Sequence, residues 1–227
     1  MAEHHWSIPF FAPGIGVFVA IISHLYLKSE NYAKSFDIKE YFSTALKLVF
    51  KKRIFSLFIL NFWTFTLMFG PMISYLPLWM DYRFNSQSMF IGFTLSSIAV
   101  SAGFMSSRLG WLGSNFSIRS IISAANFAYG ICLFSIPFWG MQGLLFIPTL
   151  VYGLAQGSNL PSVQSQLLGE APPRYRGLIM SLNTTTIMLA ITIAPVFSGF
   201  ISQYFSMQIM FFTFGIIAFI VGFSIRK

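Results

Sequence analysis

The polar side chains that stand inside the long apolar stretches are amides and hydroxyls, not acids or bases. Gln156 and Asn159 are three residues apart, so they share one face of a helix. Ser181, Thr185 and Thr192 share another face, beside Asn183 and Thr184, and Asn61, Thr64 and Thr66 form a third set. Such groups recognise a solute by hydrogen bonding; they do not carry protons or bind metals strongly. The usual intramembrane proton relay or cation site is an Asp or Glu. Here Glu3, Glu30, Asp37, Glu40, Asp81 and Glu170 all fall at segment ends or in loops. There are no paired carboxylates, no His/Cys cluster and no nucleophile–His–acid set. The reading is therefore not an enzyme, with no cofactor and no metal. Cys132 lies in an apolar run and reads as a small buried hydrophobe. Taken singly, each amide or hydroxyl could equally serve as an interhelical hydrogen bond. As clusters they read as the lining of a cavity.

The elements that must hold these groups belong in lipid. The 227 residues are 56% hydrophobic and 9% charged. No Asp, Glu, Lys or Arg occurs from Ser120 to Gly169 or from Gly177 to Ile225, stretches of 50 and 49 residues. Water cannot solvate the outer surface of so much uncharged chain. A bilayer can, at roughly 20 apolar residues per helical crossing. Seven such segments emerge: Trp6 to Leu27, Ile54 to Met80, Phe84 to Ser107, Ile118 to Trp139, Gly143 to Gln166, Gly177 to Ser202 and Phe205 to Ile225. The fold class is an all-α integral membrane protein with seven transmembrane helices. Barrel strands are excluded, because these runs are about twice the ~10 residues a barrel strand needs and do not alternate in polarity. The second, fifth and sixth segments carry the polar sets and should face a cavity or partner helices. The fourth and seventh are nearly devoid of them and should face lipid.

Charge fixes the orientation. The net charge is +8, but the basic residues form no single patch, so nucleic acid is not an expected partner. Seven Lys and Arg lie between Lys28 and Arg53; Arg108 and Arg119, Arg174 and Arg176, and Arg226 and Lys227 follow in later gaps on the same side. That side holds thirteen of the fourteen, and Arg83 alone lies opposite. The basic side is cytoplasmic, which leaves the N-terminus outside and the C-terminus inside a plasma or inner membrane. Residues 28–53 form a basic linker. In it Ile38, Tyr41, Phe42, Ala45, Leu48 and Val49 recur at helical spacing, which predicts an amphipathic helix, either lying on the inner leaflet or serving as a solvated connector. Gly70-Pro71, Pro161 and Pro195 interrupt the segments and are candidate hinges. Gly153 and Gly157 make a GxxxG spacing that permits close helix approach.

The loops resemble those of the major facilitator superfamily. Gly103-Phe104-Met105-Ser106-Ser107-Arg108-Leu109-Gly110 resembles the degenerate second copy of its Gly-x-x-x-Asp-Arg-x-Gly loop, with Ser107 where the motif has Asp. Gly153, Gly157 and Pro161, then Pro173, Arg174, Arg176, Gly177 and Ser181, look like its tenth helix, the following Pro…Arg-Gly loop and the start of its eleventh helix. Ala194-Pro195 with Gly199 looks like the end of that helix. The resemblance implies three parts. Residues 1–27 match the sixth helix, residues 28–53 the central loop, and residues 54–227 a C-terminal six-helix bundle of two three-helix repeats. It implies a small-molecule transporter of the drug or metabolite efflux type, such as an antiporter, working by alternating access. Asn61, Thr64, Gln156, Asn159, Asn183 and Thr184 would then contact substrate, and Gly103, Arg108, Gly110, Arg176 and Gly177 would serve the gate. It also implies an N-terminal half supplied elsewhere, for instance on a separate chain. The rival reading is a seven-helix receptor or sensor. Against a retinal protein, no Lys lies in the last segment.

Overall fold

The computed structural model describes residues 16–17, 21–23 and 38–226. The chain divides into two compact units, Met1–Ile38 and Lys39–Lys227. In the first unit the short described pieces are helical. The rest of the expected Trp6 to Leu27 span lies outside the described residues, as does the linker before Ile38.

The described residues of the second unit are helical, with no strand among them. Helix α1 (Ile38–Val49) coincides with the predicted amphipathic stretch, and near its end Leu48 is buried while Lys47 is exposed. Helix α2 (Lys52–Phe84) follows. It is α-helical to Leu67, widens into a π-helix over Met68–Tyr75, and returns to α over Leu76–Phe84. Pro71 has no N–H and would clash in a regular turn; the widened turn absorbs it. Asn85, the single non-glycine residue at positive φ among the described residues, caps α2 at φ 50°. Asn tolerates this left-handed geometry better than most residues, so the helix stops there.

The remaining helices are α3 (Ser88–Ser107), α4 (Leu109–Asn115), α5 (Ile118–Ser135), α6 (Phe146–Glu170), α7 (Arg176–Tyr204) and α8 (Met207–Arg226). Ser117 caps α5 by accepting the Ser120 N–H at 3.2 Å, and Ser206 caps α8 by accepting the Ile209 N–H at 3.1 Å. The boundaries fall within four residues of the expected segments. Short α4 has no counterpart among them, because its seven residues include two glycines and show no apolar run.

Five of the described helical stretches are long and apolar enough to cross a membrane: Lys52–Phe84, Ser88–Ser107, Ile118–Phe138, Pro173–Tyr204 and Met207–Arg226. The expected count of seven is not reached. The first segment is outside the described residues, and α6, though 25 residues long, falls short on hydropathy. Its amides and hydroxyls are the reason, and they are also what makes it interesting.

Three helix pairs carry most of the packing, and α5 also lies against α6. Helix α3 lies mainly on α6, α7 mainly on α2, and α5 mainly on α8. Lipid supplies no hydrophobic drive between helices, so close packing and interhelical hydrogen bonds must hold them. Gly153 and Gly157 supply the first contact: a Cβ on Gly153 would strike Ser101 and the Ile98 carbonyl, and one on Gly157 the Ala102 carbonyl. Gly70 supplies the second, set against Ala194 and Ser198 of α7. In the third, Phe127 meets Phe223 and Phe134 meets Phe212, each at 4.8 Å between ring centroids. Ser123 also donates to the Gly222 carbonyl at 2.8 Å. This corrects the expectation that the fourth segment faces lipid. Over the 18 most apolar residues of each stretch, 56% of Ile118–Phe138 is buried, against 17% of Ser88–Ser107 and 22% of Pro173–Tyr204. Helix α5 is apolar because it is packed with aromatic rings, not because lipid surrounds it.

Candidate functional site

The expected polar residues divide into a buried seam, a cavity wall and an exposed face. In the seam, Asn61 on α2 donates to Asn183 Oδ1 on α7 at 2.8 Å. Asn159 on α6 donates to Thr64 Oγ1 on α2 at 3.0 Å and reaches the Tyr129 hydroxyl on α5 at 3.4 Å. Thr64 in turn donates to the Leu60 carbonyl at 2.9 Å. Asn61 and Asn159 have no exposure at all, and Thr64 and Asn183 have 1% each. The Oδ1 atoms of Asn61 and Asn159 have no hydrogen-bond partner among the described residues. An orphan of that kind is costly in an apolar interior, so the seam ties four helices together while keeping unspent acceptor capacity.

Gln156 sits one turn from Asn159 but meets a different environment. Its Nε2 donates to the Met68 thioether at 2.7 Å. It lines a cavity of about 420 Å³ between the π turn of α2, α3 and α6, with Met68, Met72, Tyr152, Ser106 and Pro161. The lining is mostly apolar, with a few polar groups, which suits a small organic ligand. Tyr152 links cavity to seam: its ring lies 4.6 Å from that of Tyr129. Tyr129, Tyr152, Met68 and Met72 were not singled out from sequence. Aromatic and Met residues in apolar runs carry no signal until neighbouring helices converge on them.

Thr184 is exposed. It shares the uncovered side of α7 with Ser181, Thr185 and Thr192, each bonded to a carbonyl four residues back. Those bonds satisfy the hydroxyl proton within the helix, so the oxygens still face outward as acceptors.

The loop residues lie at one end of α3, α6 and α7. Arg108 stacks over Phe104 at 5.6 Å, and Ser107 donates to the Phe104 carbonyl at 2.7 Å. Ser106 donates to the Gly157 carbonyl at 2.9 Å, which joins this loop to the glycine contact. Gly103, Gly110 and Gly177 have nothing within 4 Å of where a Cβ would stand. Arg176 donates to the Ala171 carbonyl at 3.3 Å. Among the hinge candidates, Gly70 and Pro71 fall in the π turn, whereas Pro161 and Pro195 lie inside continuous α-helix. No group of His, Cys, Asp and Glu able to hold a metal is found among the described residues.

The assembly is a helical, multi-pass membrane protein with a polar seam and a lateral cavity. The family model for the Major Facilitator Superfamily matches residues 84–226, so the chain belongs to the major facilitator superfamily. No curated protein matches it significantly. A transporter of this superfamily is what the fold and the match define together, and the receptor reading is not favoured.

Proposed function

We propose that the chain forms one wall of a small-molecule efflux transporter that works by alternating access. Helices α2, α3, α5 and α6, α7, α8 are two three-helix repeats, with α6 as a span despite its polarity. The pairing supports this: the second helix of each repeat packs on the first helix of the other, as inverted repeats should. The carrying observation is the uncovered hydroxyl face of α7, opposite its buried contact with α2. The four hydroxyls lie within residues 181–192 of that side, and Met188, Leu189, Ile193, Val196, Phe197 and Phe200 make the rest apolar; a face of this mixed kind suits a solute path closed by a second bundle. Residues 1–27 and 28–53 would then act as a preceding span and a membrane-surface linker on the cytoplasmic side. The substrate favoured by the 420 Å³ cavity is a largely apolar solute with at least one hydrogen-bonding group, read by Gln156. Movement would centre on the π turn at Gly70-Pro71, with Pro161 and Pro195 as secondary bends, and Arg108, Gly110 and Arg176 at the gate.

Everted vesicles from cells that make the protein test this. They should accumulate lipophilic fluorescent dyes faster than vesicles from cells lacking it, and Gln156→Leu should abolish the difference. Equal accumulation across a broad dye panel would contradict the transport reading. Proteoliposomes holding this chain alone should show no flux; robust flux there would remove the need for a second bundle.

A further inference from the structure

A second cavity, of about 750 Å³, opens at the end of the bundle where α2 begins and α6 and α8 end. It does not share residues with the Gln156 cavity. Lys52, Arg53 and Arg119 line its rim, and Glu170 is the single acid there. Arg53 meets Glu170 at 3.1 Å, and neither Lys52 nor Arg119 has an ionic partner among the described residues. The rim therefore holds two uncompensated positive charges. Beneath it the wall turns apolar, with Leu60, Ile122 and Val221 from three different helices. Just before the rim, Lys47 and Lys51 lie exposed on α1 and after it.

We infer that this cavity binds the headgroup of an anionic phospholipid. The phosphate sits against Lys52 and Arg119, and an acyl chain follows the apolar wall that Leu57, Leu60 and Trp63 of α2 and Val221 of α8 form. Basic pockets between spans at a membrane interface suit such headgroups. A free phosphate would use only the rim; a wall that passes from cationic to apolar along the helices fits an amphiphile. The inference rests on the chain being in a bilayer and not on what it transports, so a failed transport assay would leave it standing.

Native mass spectrometry of the full chain, extracted from vesicles of equal phosphatidylglycerol and phosphatidylcholine, tests it. The wild type should retain phosphatidylglycerol in clear preference. Each cation removed should weaken retention about fivefold, so K52Q/R119Q should lose about twenty-fivefold. R83Q, at the opposite end, should bind as wild type, and circular dichroism should show all variants equally helical. Equal retention by wild type and K52Q/R119Q would overturn the inference. So would displacement by soluble glycerol phosphate as effective as that by phosphatidylglycerol, because the site would then be one for free phosphate.

Discussion

Gly157→Ala adds a single methyl group at the tightest helix contact. The new Cβ would meet the Ala102 carbonyl oxygen and lie 2.8 Å from that residue's carbonyl carbon and Cα. Ordinary contact begins near 3.4 Å, so α3 and α6 must separate by more than 0.6 Å, since the carbonyl oxygen is nearer still than the two carbons. The obstacle is backbone, which cannot swing aside as a side-chain tip can. Overpacking of this kind costs about 1–3 kcal/mol. Separation also strains the Ser106 bond to the Gly157 carbonyl, worth about 0.6 kcal/mol within a membrane protein. Alanine is favoured over glycine in a helix by about 1 kcal/mol, which offsets part of the loss. Gly92→Ala on α3 supplies the control, since its Cβ would meet nothing within 4 Å. The helix gain is common to both variants and cancels, leaving Gly157→Ala less stable than Gly92→Ala by about 1.5–3.5 kcal/mol. Titration of the purified chain from mild detergent into sodium dodecyl sulfate, followed by far-ultraviolet circular dichroism, measures the difference. Equal midpoints for the two variants, or a higher one for Gly157→Ala, would refute the close-packed α3–α6 contact.

Asn159→Leu should lower stability in the same titration by about 1–2 kcal/mol, the value of two interhelical hydrogen bonds in lipid; an unchanged midpoint would show that the seam bears no load. Arg53→Gln should change stability by less than about 1 kcal/mol, since the ion pair is exposed and screened by salt, with Arg53 at 73% exposure. A larger loss would mean that the pair is buried by a contact beyond the described residues. Cys132 is 2% exposed and should resist maleimide in mild detergent, then react fully in dodecyl sulfate; fast reaction before unfolding would contradict the packing of α5.

Helix positions were legible in the sequence because each signal is local. Runs of apolar residues need no tertiary context to be read, whereas the helix ends at Asn85, Ser117 and Ser206 were found only in the structure. The Gly153 and Gly157 spacing also declared a close contact, although not that α3 would supply it. The faces were less legible. Apolar residues that meet lipid and apolar residues that meet another helix look alike in sequence, so α5 was mistaken for a peripheral helix. The amides were found but not their surroundings. Asn159 and Gln156 share a helix face, yet one is sealed in the seam and the other opens on a cavity, because α2 covers Asn159 and leaves room beside Met68. The basic-rimmed cavity escaped notice because Lys52, Arg119 and Glu170 are brought together only by folding.

Labelling of opposite loops addresses the account at its root. In a Cys132→Ser background, Gln87→Cys lies in the loop after α2 and Arg174→Cys in the loop after α6. Three crossings, by α3, α5 and the polar helix α6, separate them. In intact cells an impermeant maleimide should label position 87 and leave position 174 untouched until the membrane is permeabilised. Equal labelling of both from outside would mean that α6 does not cross, and the transporter half built on it would not stand.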